Sequence, residues 1–149
     1  MYETFLSILT FLFQGVVAGI VVMFLSHKLQ EQKESNLLRK HALFLWVEVY
    51  GHIAVLENIL SHDAIPKLSS ATSLLFDCQS WKASQIYLTR LSTDNLTLIC
   101  TYYQTAMSLN LIISGCEGQP LNDTNKFSLT ATLTMARRVH ALLESCWKD

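Results

Sequence analysis

The sequence has 149 residues, half of them hydrophobic and 15% charged, with a net charge of −1. That is enough chain for one small domain. The composition excludes a disordered protein, and one apolar stretch of membrane length excludes a polytopic one. Two prolines and five glycines argue against an elaborate all-β fold.

The first element is the run Phe5–Leu25, in which 16 of 21 residues are apolar and none is charged. As a helix it spans about 31 Å, matching a bilayer core of about 30 Å. It has no polar face, so a buried core helix of a soluble domain is a poor alternative. No basic residue precedes it, which argues against a cleaved signal peptide. The flank after it carries Lys28, Lys33, Arg39 and Lys40. The positive-inside rule then puts the N-terminus outside and everything after residue 26 in the cytoplasm, on a single-pass inner (plasma) membrane protein. Gly15 and Gly19 form a small-xxx-small pair, and Gln14 beside them can bond between helices. Together they are the expected packing face of the membrane helix.

Residues 27–36 are almost wholly polar and read as a helical stalk. A helical stripe follows: Leu38, Ala42, Leu45, Val49, Ile53, Leu56, Leu60. It predicts one helix, or two nearly collinear ones, ending near Ser61-His62-Asp63 before Pro66. The Ser-rich stretch 63–79 predicts a loop with a short helix at Ala71–Phe76, and Trp81–Leu91 a short helix. Ser92-Thr93-Asp94 is a helix-start cluster. The helix from it carries Leu96, Ile99, Tyr103, Ala106, Asn110 and Ile113 on one face and ends at Gly115 and Gly118-Gln119-Pro120. Asn122 or Asp123 caps a last helix to about Trp147, with Leu129, Leu133, Ala136, Val139 or His140, Leu143 and Cys146 in its stripe.

The predicted fold is therefore all-α: a single N-terminal transmembrane helix (1–26), a juxtamembrane stalk and long helix (27–62), and a helical cytoplasmic domain (63–149) packing with 37–62. These pieces suit a small antiparallel bundle. Its core is thin, so association between copies would help it.

All eleven Lys/Arg and eleven of the twelve Asp/Glu follow residue 26, so that part is neutral. Binding of polymeric nucleic acid needs a basic field and is not expected. Cys78, Cys100, Cys116 and Cys146 contain no CxxC pair, so zinc or redox chemistry is not expected and free thiols are. Glu48 and His52 share a helix face and could hold a metal, though they are more simply a helix pair. No nucleophile elbow or phosphate loop occurs, so the sequence predicts neither an enzyme, nor a cofactor, nor a metal site.

Arg137-Arg138 with His140 is the densest cationic cluster and a candidate phosphate clamp, since arginine pairs bidentately with phosphate. Consecutive positions diverge by about 100° on a helix, so one arginine can face a partner while the other is solvated. Trp81, Lys82 and Arg90 on the short helix are candidates for stacking a base and holding phosphate. Trp81 and Tyr103 also read as core anchors. Asn110, polar in an apolar stripe, must find partners and reads as a residue that fixes bundle register or touches a ligand.

With its Trp-bearing short helix, the cap Leu91-Ser92-Thr93-Asp94, Tyr102-Tyr103 and Leu109-Asn110, the whole chain resembles a broad group of small bacterial membrane-anchored helical proteins. In size, topology and lack of catalytic motifs it also resembles the membrane effectors of type III CRISPR systems. That resemblance implies a homo-oligomer, a tetramer, whose cytoplasmic domain binds a cyclic oligoadenylate and signals to the bilayer in antiviral defence. It brings no site residue with it. The alternatives are a constitutive membrane-anchored interaction subunit and a holin- or toxin-like membrane disruptor.

Overall fold

The computed structural model describes residues 2–66, 76–114, 116 and 118–148, with side chains from residue 17 onward except 18 and 114. The described residues are all helical apart from loops and turns: α1 (Tyr2–His62), α2 (Gln79–Ser84) followed by a 3-10 turn (Gln85–Tyr87), α3 (Thr93–Ser114) and α4 (Asp123–Lys148). The chain divides into two compact units, residues 1–36 and 37–149. Two helices, α1 and α3, are long and apolar enough to cross a membrane.

In the first unit Ile20, Val22, Met23 and Phe24 are all more than 60% exposed. The side chains of Gln14 and Gly15 lie outside the described residues. A Cβ added at Gly19 would meet no atom within 4 Å.

In the second unit, residues 37–62 of α1 bury one apolar face. Ala42, Leu45, Val49 and Leu56 are fully buried. Beyond Val49 the sequence stripe needs correcting. His52 and Ile59 go inside at 4% and 1% exposure, while Ile53 and Leu60 lie at the edge of the core. The cause is phase: 45, 49, 52, 56, 59 keeps one face of a 3.6-residue helix, and steps of four at 53 and 60 drift off it. The helix ends where Asp63 turns left-handed at φ 53°. Its exit is tied to the α3–α4 loop: the Ile65 amide donates to the Gln119 carbonyl, and the Gly118 amide to the Ile65 carbonyl, at 3.1 and 2.9 Å. Gly118 has φ 72°, a conformation that favours glycine.

The expected helix over Ala71–Phe76 lies outside the described residues save Phe76. The next is shorter than the sequence predicts. It begins at Gln79 and gives way to the 3-10 turn at Gln85, with the Leu88 amide bonding back to Gln85 and that of Leu91 to Leu88. Bonds of three-residue span close the chain and cannot propagate an α-helix.

Of the candidate caps, Ser92 and Asn122 are the ones used. Ser92 Oγ accepts the Asn95 amide at 3.3 Å, and Asn122 Oδ1 accepts the Asn125 amide at 2.7 Å. These bonds satisfy N–H groups that have no partner within their own helix. Ile99, Tyr102, Tyr103, Ala106, Leu109 and Ile113 of α3 are buried, as are Leu129, Leu133, Ala136, Val139 and Leu143 of α4. One face of α3 is thus buried in the bundle, while Leu111 and Ile112 are exposed.

Candidate functional site

Two side-chain clusters flank α1, and they differ in kind. The first is polar and pins the segment 76–87 to the bundle. His52 Nε2 lies 2.7 Å from the Asp77 carbonyl, and its Nδ1 lies 2.8 Å from the Tyr102 hydroxyl. A carbonyl only accepts, so Nε2 carries the proton and Nδ1 accepts from Tyr102. Asn110 clasps the backbone of Phe76: its Oδ1 accepts the Phe76 amide at 2.9 Å, and its Nδ2 donates to the Phe76 carbonyl at 2.8 Å. Asn110 is therefore a register residue, one of the two roles its position in an apolar stripe suggested.

Helix α2 has no cap from its own N-cap residue, Cys78. Its free amides are taken from outside: Gln79 donates to Asp77 Oδ1 at 3.1 Å, and Ser80 to Glu48 Oε2 at 2.8 Å. Higher up, His41 Nδ1 meets Ser84 Oγ at 3.0 Å while its ring stacks on Tyr87 at 3.9 Å. Trp81 stacks on Tyr103, centroids 4.7 Å apart, and seals the cluster. Glu48 Oε1 and the Tyr103 hydroxyl are buried beside one another, and the hydroxyl is among the donors that face the carboxylate.

Burial sets the electrostatics here. It lowers the basicity of His52 against the opposing pull of the Asp77 carbonyl and charge. It lowers that of His41 too, with Lys40 adding repulsion. It raises the Glu48 carboxyl despite the donors around it. It pushes the Cys78 thiol up to about 11, helped by the Glu48 and Asp77 charges. A thiol that stays protonated at neutral pH is a poor nucleophile. Glu48 and His52 face different partners, so they do not form the metal pair their spacing allowed. No disulfide joins Cys78, Cys100, Cys116 and Cys146.

The second cluster is aromatic and lies in the seam between α1 and α4. His140 stacks on Trp46 at 4.8 Å, Trp147 meets Trp46 edge-on at 5.6 Å, and Tyr50 lies 5.9 Å from His140. Trp46 Nε1, Trp147 Nε1 and His140 Nε2 are buried without a hydrogen-bond partner. Farther along the seam, Arg137 pairs with Glu57 at 2.8 Å and Lys126 with Asp63 at 2.7 Å. A groove of about 290 Å³ lies between α3 and α4, beside Ile112, Phe127 and Met135. The hydroxyls of Thr105, Ser108 and Thr132 there bond back to their own helices, so the groove offers apolar surface.

The residues singled out from sequence thus separate. Arg137 and His140 share the seam. Arg138, one position on, is exposed on the far side of α4, as consecutive helix positions require. Trp81 is 6% exposed and holds Tyr103, while Lys82 on α2 and Arg90 after the 3-10 turn are exposed. Trp46, Tyr50 and Trp147 join the seam without having been singled out. The signal available was their spacing: Trp46 and Tyr50 lie one turn apart on α1, and His140 and Trp147 two turns apart on α4. The chain matches no protein-family model, no curated protein and no solved structure.

Proposed function

We propose that the protein is a membrane-anchored interaction module. One N-terminal helix crosses the bilayer, the N-terminus lies outside, and the bundle sits in the cytoplasm and binds a partner protein. One observation carries the reading. The face of α1 turned away from the core is apolar where a solvated helix would be charged: Leu43, Phe44, Val47 and Tyr50 are 38, 46, 56 and 61% exposed. A contiguous apolar helix face in water is a surface for association. The lysines and arginine after residue 26 support the orientation.

The test is a photo-crosslinking amino acid placed singly at Leu43, Val47 or Tyr50 of the full chain in cell membranes. Gln104 and Thr134 serve as exposed polar controls. Protein adducts confined to the three α1 positions are expected. Equal yields at all five, or none at α1, would contradict the reading.

A second reading is a ligand-gated effector of antiviral defence that binds a cyclic oligoadenylate, cyclic tetra-adenylate above all, as a tetramer and perturbs the bilayer. It is favoured by the placement of Arg137 and His140 in the same seam as Trp46 and Tyr50. A cation beside exposed aromatic surface is what holds a phosphate next to a stacked base. Arg137 would exchange Glu57 for phosphate. A thermal shift of the full chain with one ring size, lost in Arg137→Ala, would support it. No shift with cyclic tri-, tetra- or hexa-adenylate would remove it.

A further inference from the structure

The segment Phe76–Tyr87 is joined to α1 through three titratable side chains spaced 7 and 4 residues apart: His41, Glu48 and His52. Each holds a different part of it. His52 takes the Asp77 carbonyl, Glu48 the Ser80 amide, and His41 the Ser84 hydroxyl and the Tyr87 ring. From α3, Asn110 grips its first residue, Phe76, and Tyr103 stacks on Trp81. We propose that this segment is an acid-releasable plate, which lets go of α1 between residues 77 and 87 when His41 and His52 take up protons, while α3 and α4 stay packed.

The geometry supplies the reason. Neutral His52 satisfies both neighbours, donating from Nε2 and accepting at Nδ1. Protonated, it presents an N–H at Nδ1 to the Tyr102 hydroxyl, which must then turn its own proton elsewhere in a buried site. The groups facing His52 are the Asp77 carbonyl and carboxylate, the Tyr102 hydroxyl, and the Phe76 and Tyr103 rings. The carboxylate eases the charged form, but burial opposes it more strongly. His41 faces Ser84, the rings of Tyr87 and Phe44, and the charge of Lys40, so it too resists a proton in place. Free of the plate, each reverts toward the ordinary histidine value near 6.5.

The released form therefore binds more protons, and closure weakens as pH falls below about 6.5. At pH 5 each histidine that stays neutral in place multiplies opening by at most about 30-fold. Glu48 works in the other direction. Its carboxyl is raised in the closed form, so a proton taken up there favours closure. The acid response belongs to the histidines. Opening would part the stacked pair Trp81–Tyr103 and expose both rings, which are buried in the closed form.

Hydrogen exchange with mass spectrometry on the full chain in nanodiscs, read as protection factors from pH 7.5 to 5.0, tests this. Peptides from 78–91 should lose at least tenfold in protection at pH 5.0 while those from α3 and α4 keep theirs. The double variant His41→Gln/His52→Gln should hold protection at pH 5.0, because glutamine can donate and accept at these sites without titrating. Should that variant not fold at pH 7.5, the wild-type profile decides alone. Unchanged protection in 78–91, or parallel loss in α3 and α4, would overturn the proposal. So would a folded double variant that opens like the wild type.

Discussion

The two flanks of α1 solve the same packing problem in opposite ways. Toward α2, polar groups are buried and nearly all are paired, with His52, Asn110 and Glu48 each holding a backbone atom of the segment they receive. Toward α4, rings stack, and three buried ring nitrogens have no partner. A paired buried polar group fixes one geometry, because any slip leaves an amide or carbonyl unsatisfied. Stacked rings tolerate sliding and contribute mainly through area. The α2 flank is therefore where register is specified, and the seam is where packing tolerates sliding.

Substitutions can sharpen that contrast. The largest effect is expected from Asn110→Ala, which orphans both the amide and the carbonyl of Phe76. It should destabilise the bundle by about 2–4 kcal/mol in urea unfolding of the detergent-solubilised chain. A loss under about 1 kcal/mol would mean the clasp is incidental.

The adjacent tyrosines come next. Tyr102→Phe removes the donor to His52 Nδ1 and should cost about 1 kcal/mol. Tyr103→Phe removes a buried hydroxyl beside the Glu48 carboxyl and should also cost about 1 kcal/mol. No loss of stability from either would mean that these hydroxyls do not help to fix the flank.

On the outer face of α1, a Cβ added at Gly51 meets nothing within 4 Å. Gly51→Ala should therefore stabilise the helix by about 0.5–1 kcal/mol, raising the urea midpoint. Destabilisation would mean that something already occupies that face. The smallest effect belongs to Arg137→Ala in the seam. Its ion pair with Glu57 is more than half exposed on the arginine side, at 62%. It should contribute under about 1 kcal/mol, and less in 1 M salt.

Much of this architecture was legible in the chain. The stripes on α3 and α4 and the caps Ser92 and Asn122 depend on local spacing and local hydrogen bonds, which sequence displays directly. Asn110 was legible too, since a polar residue at a core position has to find partners. His52 was not. Its spacing displays only a pair with Glu48, although 45, 49, 52, 56, 59 is the truer helical phase and puts it inside. Its partners, Asp77 and Tyr102, lie 25 and 50 residues away. Such contacts are set by packing, and no local pattern announces them. The end of α2 at Ser84 was hidden for a related reason: residues 85–91 hold no glycine or proline to mark the change to three-residue bonds. The seam was half visible. Arg137 and His140 stood out by charge, while Trp46 and Tyr50 belong to a different helix, and only the α1–α4 pairing joins them.

Every functional statement above depends on the anchor and on the side of the membrane that holds the bundle. Protease protection in sealed vesicles, with an epitope at residue 149, tests both at once. The account predicts that the full chain sediments with membranes and resists carbonate extraction. It also predicts that the bundle is degraded in inside-out vesicles and spared in right-side-out ones. A chain released by carbonate, or a bundle spared only in inside-out vesicles, would contradict it.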